Sequence, residues 1–133
     1  MVVLMMPNPE RFWFADRSSF SALADPDVED GYQRHDDRCL VDWSAVAAAV
    51  QTNGERLVSG STYIDSDGDQ VFKLDLEGLG QTEATIVQSW FARMIDCPRG
   101  DPGDEVPSNG RHRLWCSWEA NPDALLPVYS ETL

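Results

Sequence analysis

Three cysteines and two histidines are the residues of this 133-residue chain best suited to hold a metal or to act as nucleophile and base. His35 stands four residues before Cys39, His112 four before Cys116, and Cys97 lies between the pairs. Zinc sites are usually announced by Cys-x2-Cys or His-x3-His spacing, and neither occurs. Residues 111–119 read as a strand. On a strand, His112 and Cys116 stand about 13 Å apart, four steps of roughly 3.3 Å, too far to share an ion. A nucleophile needs a base and an orienting group, and Cys97, His112 and Asp96 are the one combination that could meet. There is no Gly-x-Ser-x-Gly elbow, and no glycine-rich phosphate loop followed by lysine. Paired acids say nothing here, because any fold brings two of 23 carboxylates together. The expectation is a protein that is not an enzyme, with no metal and no cofactor.

Asp65-Ser66-Asp67-Gly68-Asp69 has the look of a calcium loop. Counted from Asp65, however, the sixth position is Gln70 and the twelfth is Leu76, where an EF-hand needs glycine and a bidentate glutamate. Its flanks read as strands, so the segment is expected to be a hairpin tip with solvated acids. Arg99-Gly100-Asp101 spells an adhesion tripeptide, expected to be chance in a chain without a secretion signal.

The charge is lopsided. Ten Lys plus Arg face 23 Asp plus Glu, a formal −13. That argues against a nucleic-acid binder, whose affinity comes from cations on phosphates, and equally against a protein docking on an anionic bilayer. Lys73 is the single lysine against nine arginines. GC-rich coding, salt adaptation and an acidic surface built for a basic partner each account for this bias. Five Trp, five Phe and three Tyr exclude a disordered acidic tail. The odd cysteine count argues against a closed disulfide framework and for a reducing compartment. Met1 to Met6 is apolar, but it is too short for a leader or a membrane span and meets Pro7. The expected setting is cytoplasmic.

Several elements must position these residues. Two short strands, Val2–Met6 and Arg11–Phe14, flank a Pro7-Asn8-Pro9 turn. Ser18–Ala24 reads as a short helix ending before Pro26, and 25–38 as an acidic loop. Asp42 is expected to cap a helix to about Gln51, with Trp43, Val46, Ala47 and Val50 on one stripe and Asn53-Gly54 ending it. Residues 56–65 and 70–77 read as a β-hairpin around Asp67-Gly68. A second helix is expected from Thr82 to Ile95, burying Val87, Trp90, Phe91 and Met94. A Pro- and Gly-rich loop spans 97–110, a last strand spans 111–119, and an apolar tail from Ala124 packs back. The sum is one acidic α+β domain over 1–133: a small, mostly antiparallel β-sheet with two main helices packed on one face.

The acids cluster. Residues 61–105 hold ten acids and three bases, whereas residues from 106 onward hold three acids and two arginines. The exposed part of this charge is assigned to Asp65, Asp67 and Asp69 at the hairpin tip, and to Asp101, Asp104 and Glu105 on the long loop. On the expected last strand, Trp115 and Trp118 face opposite ways, leaving Trp115 with Arg111, Arg113 and Glu119 as an aromatic anchor. Size, charge and the lack of a catalytic signature are similar to those of small acidic α+β proteins that neutralise a cognate: immunity proteins, antitoxins and phage-encoded inhibitors. That similarity implies an inhibitor steered onto a basic protein partner, a toxin or nucleic-acid-binding effector. Two other functions fit the same composition: a structural or assembly protein, and a ligand-binding domain with a pocket between sheet and helices.

Overall fold

A computed structural model describes residues 2–5, 9–25, 40–60, 62–64, 70–91 and 96–132. The hairpin tip with Asp65, Asp67 and Asp69 lies outside these residues, as do most of the acidic loop 25–38, with His35 and Cys39, and the expected end of the second helix with Met94.

The fold is α+β, with every named strand pairing antiparallel. β1 (Val2–Met5), β3 (Thr62–Ile64) and β4 (Gln70–Leu74) form a sheet in the order β1-β4-β3, and β2 (Phe12–Ala15) pairs with β5 (Leu126–Tyr129) in a second. The expected hairpin is the β3–β4 pair, in register Thr62↔Phe72 and Ile64↔Gln70, but its first strand is shorter than the expected 56–65, because Arg56 to Val58 complete the preceding helix. Three helices join the sheets: α1 (Trp43–Val58), α2 (Gln81–Phe91) and α3 (Arg111–Ala120). α1 contacts α2, α3 and β5, so it is the hub of the core.

α1 starts as expected. The Asp42 carboxylate accepts the Ala45 amide at 3.1 Å, satisfying one of the orphan N–H groups of the first turn. It does not stop at Asn53-Gly54 but runs to Val58. Asn53 is buried and its amide is fully engaged. Nδ2 donates to Ala49 O at 2.8 Å and Asp75 O at 3.0 Å, while Oδ1 accepts Asp75 N at 2.9 Å and Arg56 Nη1 at 3.0 Å. The side chain thereby pairs with the backbone leaving β4. Gly54 lets the helix approach β2 and β5: a Cβ there would meet Pro127 Cγ at 2.8 Å and Phe14 Cε1 at 3.2 Å. A pair that usually ends helices is here kept helical by tertiary contact.

Segment 111–119 is a helix, not the expected strand. Leu114, Cys116 and Trp118 suggested a period of two, but Leu114, Ser117 and Trp118 bury at helical spacing. A ten-residue apolar-polar mixture satisfies both periods, and packing decides. Trp118 is 1% exposed, and its indole N–H donates to Ala124 O at 2.9 Å. The missing strand comes from the tail, as β5. Pro127 is tolerated there because Tyr129 N–H points to Pro98 O, away from β2. Two residues earlier on the same side, Pro127 leaves the β2 ladder no donor short. Ser18–Ala24 forms turns in place of a helix. The Asp16 carboxylate accepts from Ser18 N and from the hydroxyls of Ser18 and Ser19, competing with helical pairing.

The core gathers Phe12, Phe20, Phe72, Phe91, Trp90 and Trp118 with the aliphatic stripe of α1. Trp90 is fully buried and donates to Pro127 O at 2.8 Å, fastening α2 to β5.

Candidate functional site

The long loop is ordered by its own chemistry. Asp101-Pro102-Gly103-Asp104 closes a tight turn, with Asp104 N donating to Asp101 O at 3.0 Å and Gly103 at φ +97°, as a type II turn with Pro then Gly demands. Asp104 Oδ2 accepts Asp101 N at 2.8 Å. One oxygen of Asp101 accepts from the Ser130 hydroxyl, Glu131 N at 3.0 Å and Thr132 N at 3.3 Å, clamping the C-terminal segment. The Ser130 hydrogen bond holds the Asp101 carboxyl below its ordinary range. The loop is also stitched to β5 by Gly100 N to Tyr129 O, to Trp13 by its indole N–H on Gly100 O, and to Ala22 by Glu105 O. Of the acids assigned to this surface, Asp104 and Glu105 are exposed, while Asp101 is half-buried and positions the tail.

Trp115 is half-buried, not a bare anchor. On α3 it shares a face with Arg111 and Glu119, not with Arg113. Arg17 lies over its ring at 5.6 Å and reaches Glu119 at 3.1 Å, covering it. Trp115 and Trp118, three apart on a helix, border the same hollow of about 330 Å³ with Phe20 and Leu23.

Charge is sorted between inside and outside. Among the described residues eleven carboxylate side chains are exposed, against two cations, Arg17 and Lys73. The other described arginines are half-buried. Arg56 Nη1 donates to Asn53 and lies over Phe72, and Arg99 meets Glu131 at 3.5 Å. Arg113 donates to Ser89 O at 3.2 Å and Asp96 O at 2.6 Å and lies over Trp90. It thus sets a cation near the end of α2, where the carbonyl dipoles favour one. Burial lowers its pKa from the usual arginine value.

The helix changes the geometry of the histidine–cysteine pair. His112 and Cys116 stand one turn apart on the same face, and both border one groove. On a helix the two side chains are neighbours, not about 13 Å apart as on a strand. Among the described residues, no group of three or more His, Cys, Asp or Glu could hold a metal ion. Cys97 is fully buried, and desolvation pushes its thiol up to about 12, the opposite of an activated nucleophile.

That groove, about 690 Å³, opens where the first turns of all three helices meet. Trp43 and Val41 come from α1 and its approach, Gln81, Thr82, Thr85 and Ile86 from α2, and Asn109 to Arg113 from the start of α3. Sequence reasoning missed it, since Arg111 and His112 were placed on a strand. Gly110, standing before a run without Pro, was the available sign of a helix start. The chain was compared with protein-family models, with curated proteins and with solved structures, and none matches it.

Proposed function

We propose that this protein is a non-catalytic binding domain that neutralises a basic protein partner through its acidic surface, in the manner of an immunity protein or antitoxin. The observation that supports this reading most is the sorting of charge. Arginines are drawn inward onto carbonyls, rings and carboxylates, so the exposed described surface is more one-sided than the net charge implies. Such a field steers association with a positive cleft, and acid–arginine pairs desolvated on contact then set the lifetime of the complex. Asp104 and Glu105 sit on a loop braced by hydrogen bonds, so presenting them costs little further ordering. Asp65, Asp67 and Asp69, which lie outside the described residues, and Trp115 complete the set of residues proposed to meet the partner, with Asp101 holding the loop in place.

The test is capture of the partner from the native host with the tagged chain, followed by association kinetics at rising salt. The reading expects a basic protein whose association slows at least several-fold between low and physiological ionic strength, and slows again in D104N/E105Q. A partner of neutral or acidic charge, or an association rate indifferent to salt, rejects it.

A further inference from the structure

We infer that the aromatic hollow beside Arg17 is the receptor for one arginine side chain of the basic partner, and that Arg17 occupies its place in the free chain. The inference rests on the acidic-surface reading and names one contact within it. Phe20, Leu23, Trp115 and Trp118 border this hollow of about 330 Å³, at the low end of small-molecule sites and suited to a single long side chain. Phe20 and Trp118 are buried, and the Phe20 ring lies 6.5 Å from Trp118 and 5.7 Å from Trp13, centre to centre. The core thus fixes most of the wall before a partner arrives.

The chain itself shows what this wall accepts. The Arg17 guanidinium lies 5.6 Å from the centre of the Trp115 ring and reaches the Glu119 carboxylate at 3.1 Å. A flat cation over a ring face, paired with an acid at its edge, is the arrangement in which arginine outperforms lysine. The resident is nevertheless loosely held. Its side chain is 42% exposed and that of Glu119 45%, and an ion pair so open to water contributes little.

The rim supplies the attraction for a second guanidinium. Glu119 stands on α3, and Asp16 holds the turn at Ser18 and Ser19. Glu105 is brought alongside by its carbonyl, which accepts the Ala22 amide at 2.9 Å between Ser21 and Leu23 of the wall. All three carboxylates are exposed, and Arg17 is the one cation among the described residues lining the hollow. A partner arginine entering between Trp115 and Glu119 sends Arg17 into solvent and replaces an open ion pair with one shielded by the interface.

The experiment follows the indole N–H signals of the full chain by NMR during titration with Ac-Gly-Arg-Gly-NH2 and, separately, Ac-Gly-Lys-Gly-NH2. The peptides carry equal charge, so general attraction to the acidic surface cancels between them. The Trp115 signal should shift and saturate, with the arginine peptide bound about threefold tighter than the lysine peptide. Trp90, fully buried and bonded to Pro127 O, is the reference signal that should not move. Arg17→Ala vacates the resident's place and should tighten the arginine peptide about threefold, whereas a merely structural Arg17 predicts no gain. Arg17→Ala combined with Glu119→Gln should lose that gain. Both positions are exposed, so the variants keep the fold. The inference is overturned if Trp115 fails to saturate by roughly 50 mM arginine peptide in both the parent and Arg17→Ala. It is equally overturned if the lysine peptide binds as tightly, or if Arg17→Ala binds no tighter than the parent. A basic partner captured from the host alongside any of these results strikes the hollow alone. A neutral or acidic partner alongside saturable, arginine-selective binding strikes the acidic-surface reading and leaves the guanidinium site standing.

Discussion

Asn53→Ala removes a polar side chain that joins the middle of α1 to the chain leaving β4. In the native fold its amide makes two hydrogen bonds with the Asp75 backbone, at 2.9 and 3.0 Å, and holds Arg56 at 3.0 Å, from a site 1% exposed. Each hydrogen bond contributes about 1 kcal/mol net, so the Asp75 pair accounts for about 2 kcal/mol. Alanine returns roughly 0.5 kcal/mol through helix propensity, and releasing Arg56 from its place over Phe72 takes away a comparable amount. Asp75 is exposed, so water can satisfy its freed backbone groups and the stranding penalty stays small. The net loss is about 2 kcal/mol, or about 8 °C in Tm for a chain of this size. Urea unfolding should show a lower midpoint with an unchanged slope, since the surface exposed on unfolding is the same. Thr52→Ala, at the exposed neighbouring position, should shift stability by less than about 0.5 kcal/mol. Should Asn53→Ala unfold at the same midpoint as Thr52→Ala, the amide is not what keeps α1 helical past Gln51.

Four further outcomes follow from the same geometry. Gly54→Val should cost about 1–3 kcal/mol by thermal unfolding, because its side chain must displace Pro127 and Phe14, and a neutral result would mean the helix can back away. Asp101 is held below its ordinary value of 3.8, so its clamp on 130–132 is in place above that pH and is lost as pH falls through the depressed value. Protection factors of the Glu131 and Thr132 amides, taken against the intrinsic exchange rate at each pH, should therefore fall at acid pH in the parent and be near unity throughout in Asp101→Ala; identical profiles in the two proteins contradict the clamp. Cys97, with its thiol pushed up to about 12, should resist iodoacetamide at pH 9 in the native state and react on denaturation, by peptide mass mapping. Stability should rise as NaCl increases from about 20 mM to 0.5 M, since screening relieves repulsion among exposed carboxylates, and a fall in Tm would show that ion pairs dominate.

The elements legible in the sequence were those fixed by local chemistry. The Asp42 cap, the apolar stripe of α1, the 3.6-period of Val87, Trp90 and Phe91, the β3–β4 hairpin and the irregular 97–110 loop all declare themselves within a dozen residues. What failed was settled at a distance. Asn53-Gly54 is a stop signal locally and a docking device once Asp75 and Pro127 are opposite it. Pro127 argues against a strand until Tyr129 shows which edge of β5 lacks a donor. Between 111 and 119 the apolar residues serve either period, and the mistaken strand also hid the groove, since Arg111, His112 and Cys116 come together only on a helix. Of the assigned acids, the turn at 101–104 was legible from Pro-Gly alone, but nothing local marks Asp101 as the acceptor for a segment thirty residues away.

Composition and placement make separable statements about the acidity. A coding bias or a salt-adapted proteome changes how often arginine, lysine and aspartate occur, but neither dictates which of them is drawn inside. Here the cations are placed by role. The Arg113 fork reaches the carbonyls of both Ser89 and Asp96, which a lysine ammonium could not do in the same planar way, while Arg11 reaches the Glu131 carbonyl and Arg99 its carboxylate. Most of the described carboxylates hold no such interior posts, although half-buried Asp101 does. Among the described residues, folding therefore sharpens the imbalance of residue types, leaving eleven exposed carboxylates against two exposed cations. A bias in frequency alone would have left arginines and acids interspersed on the surface.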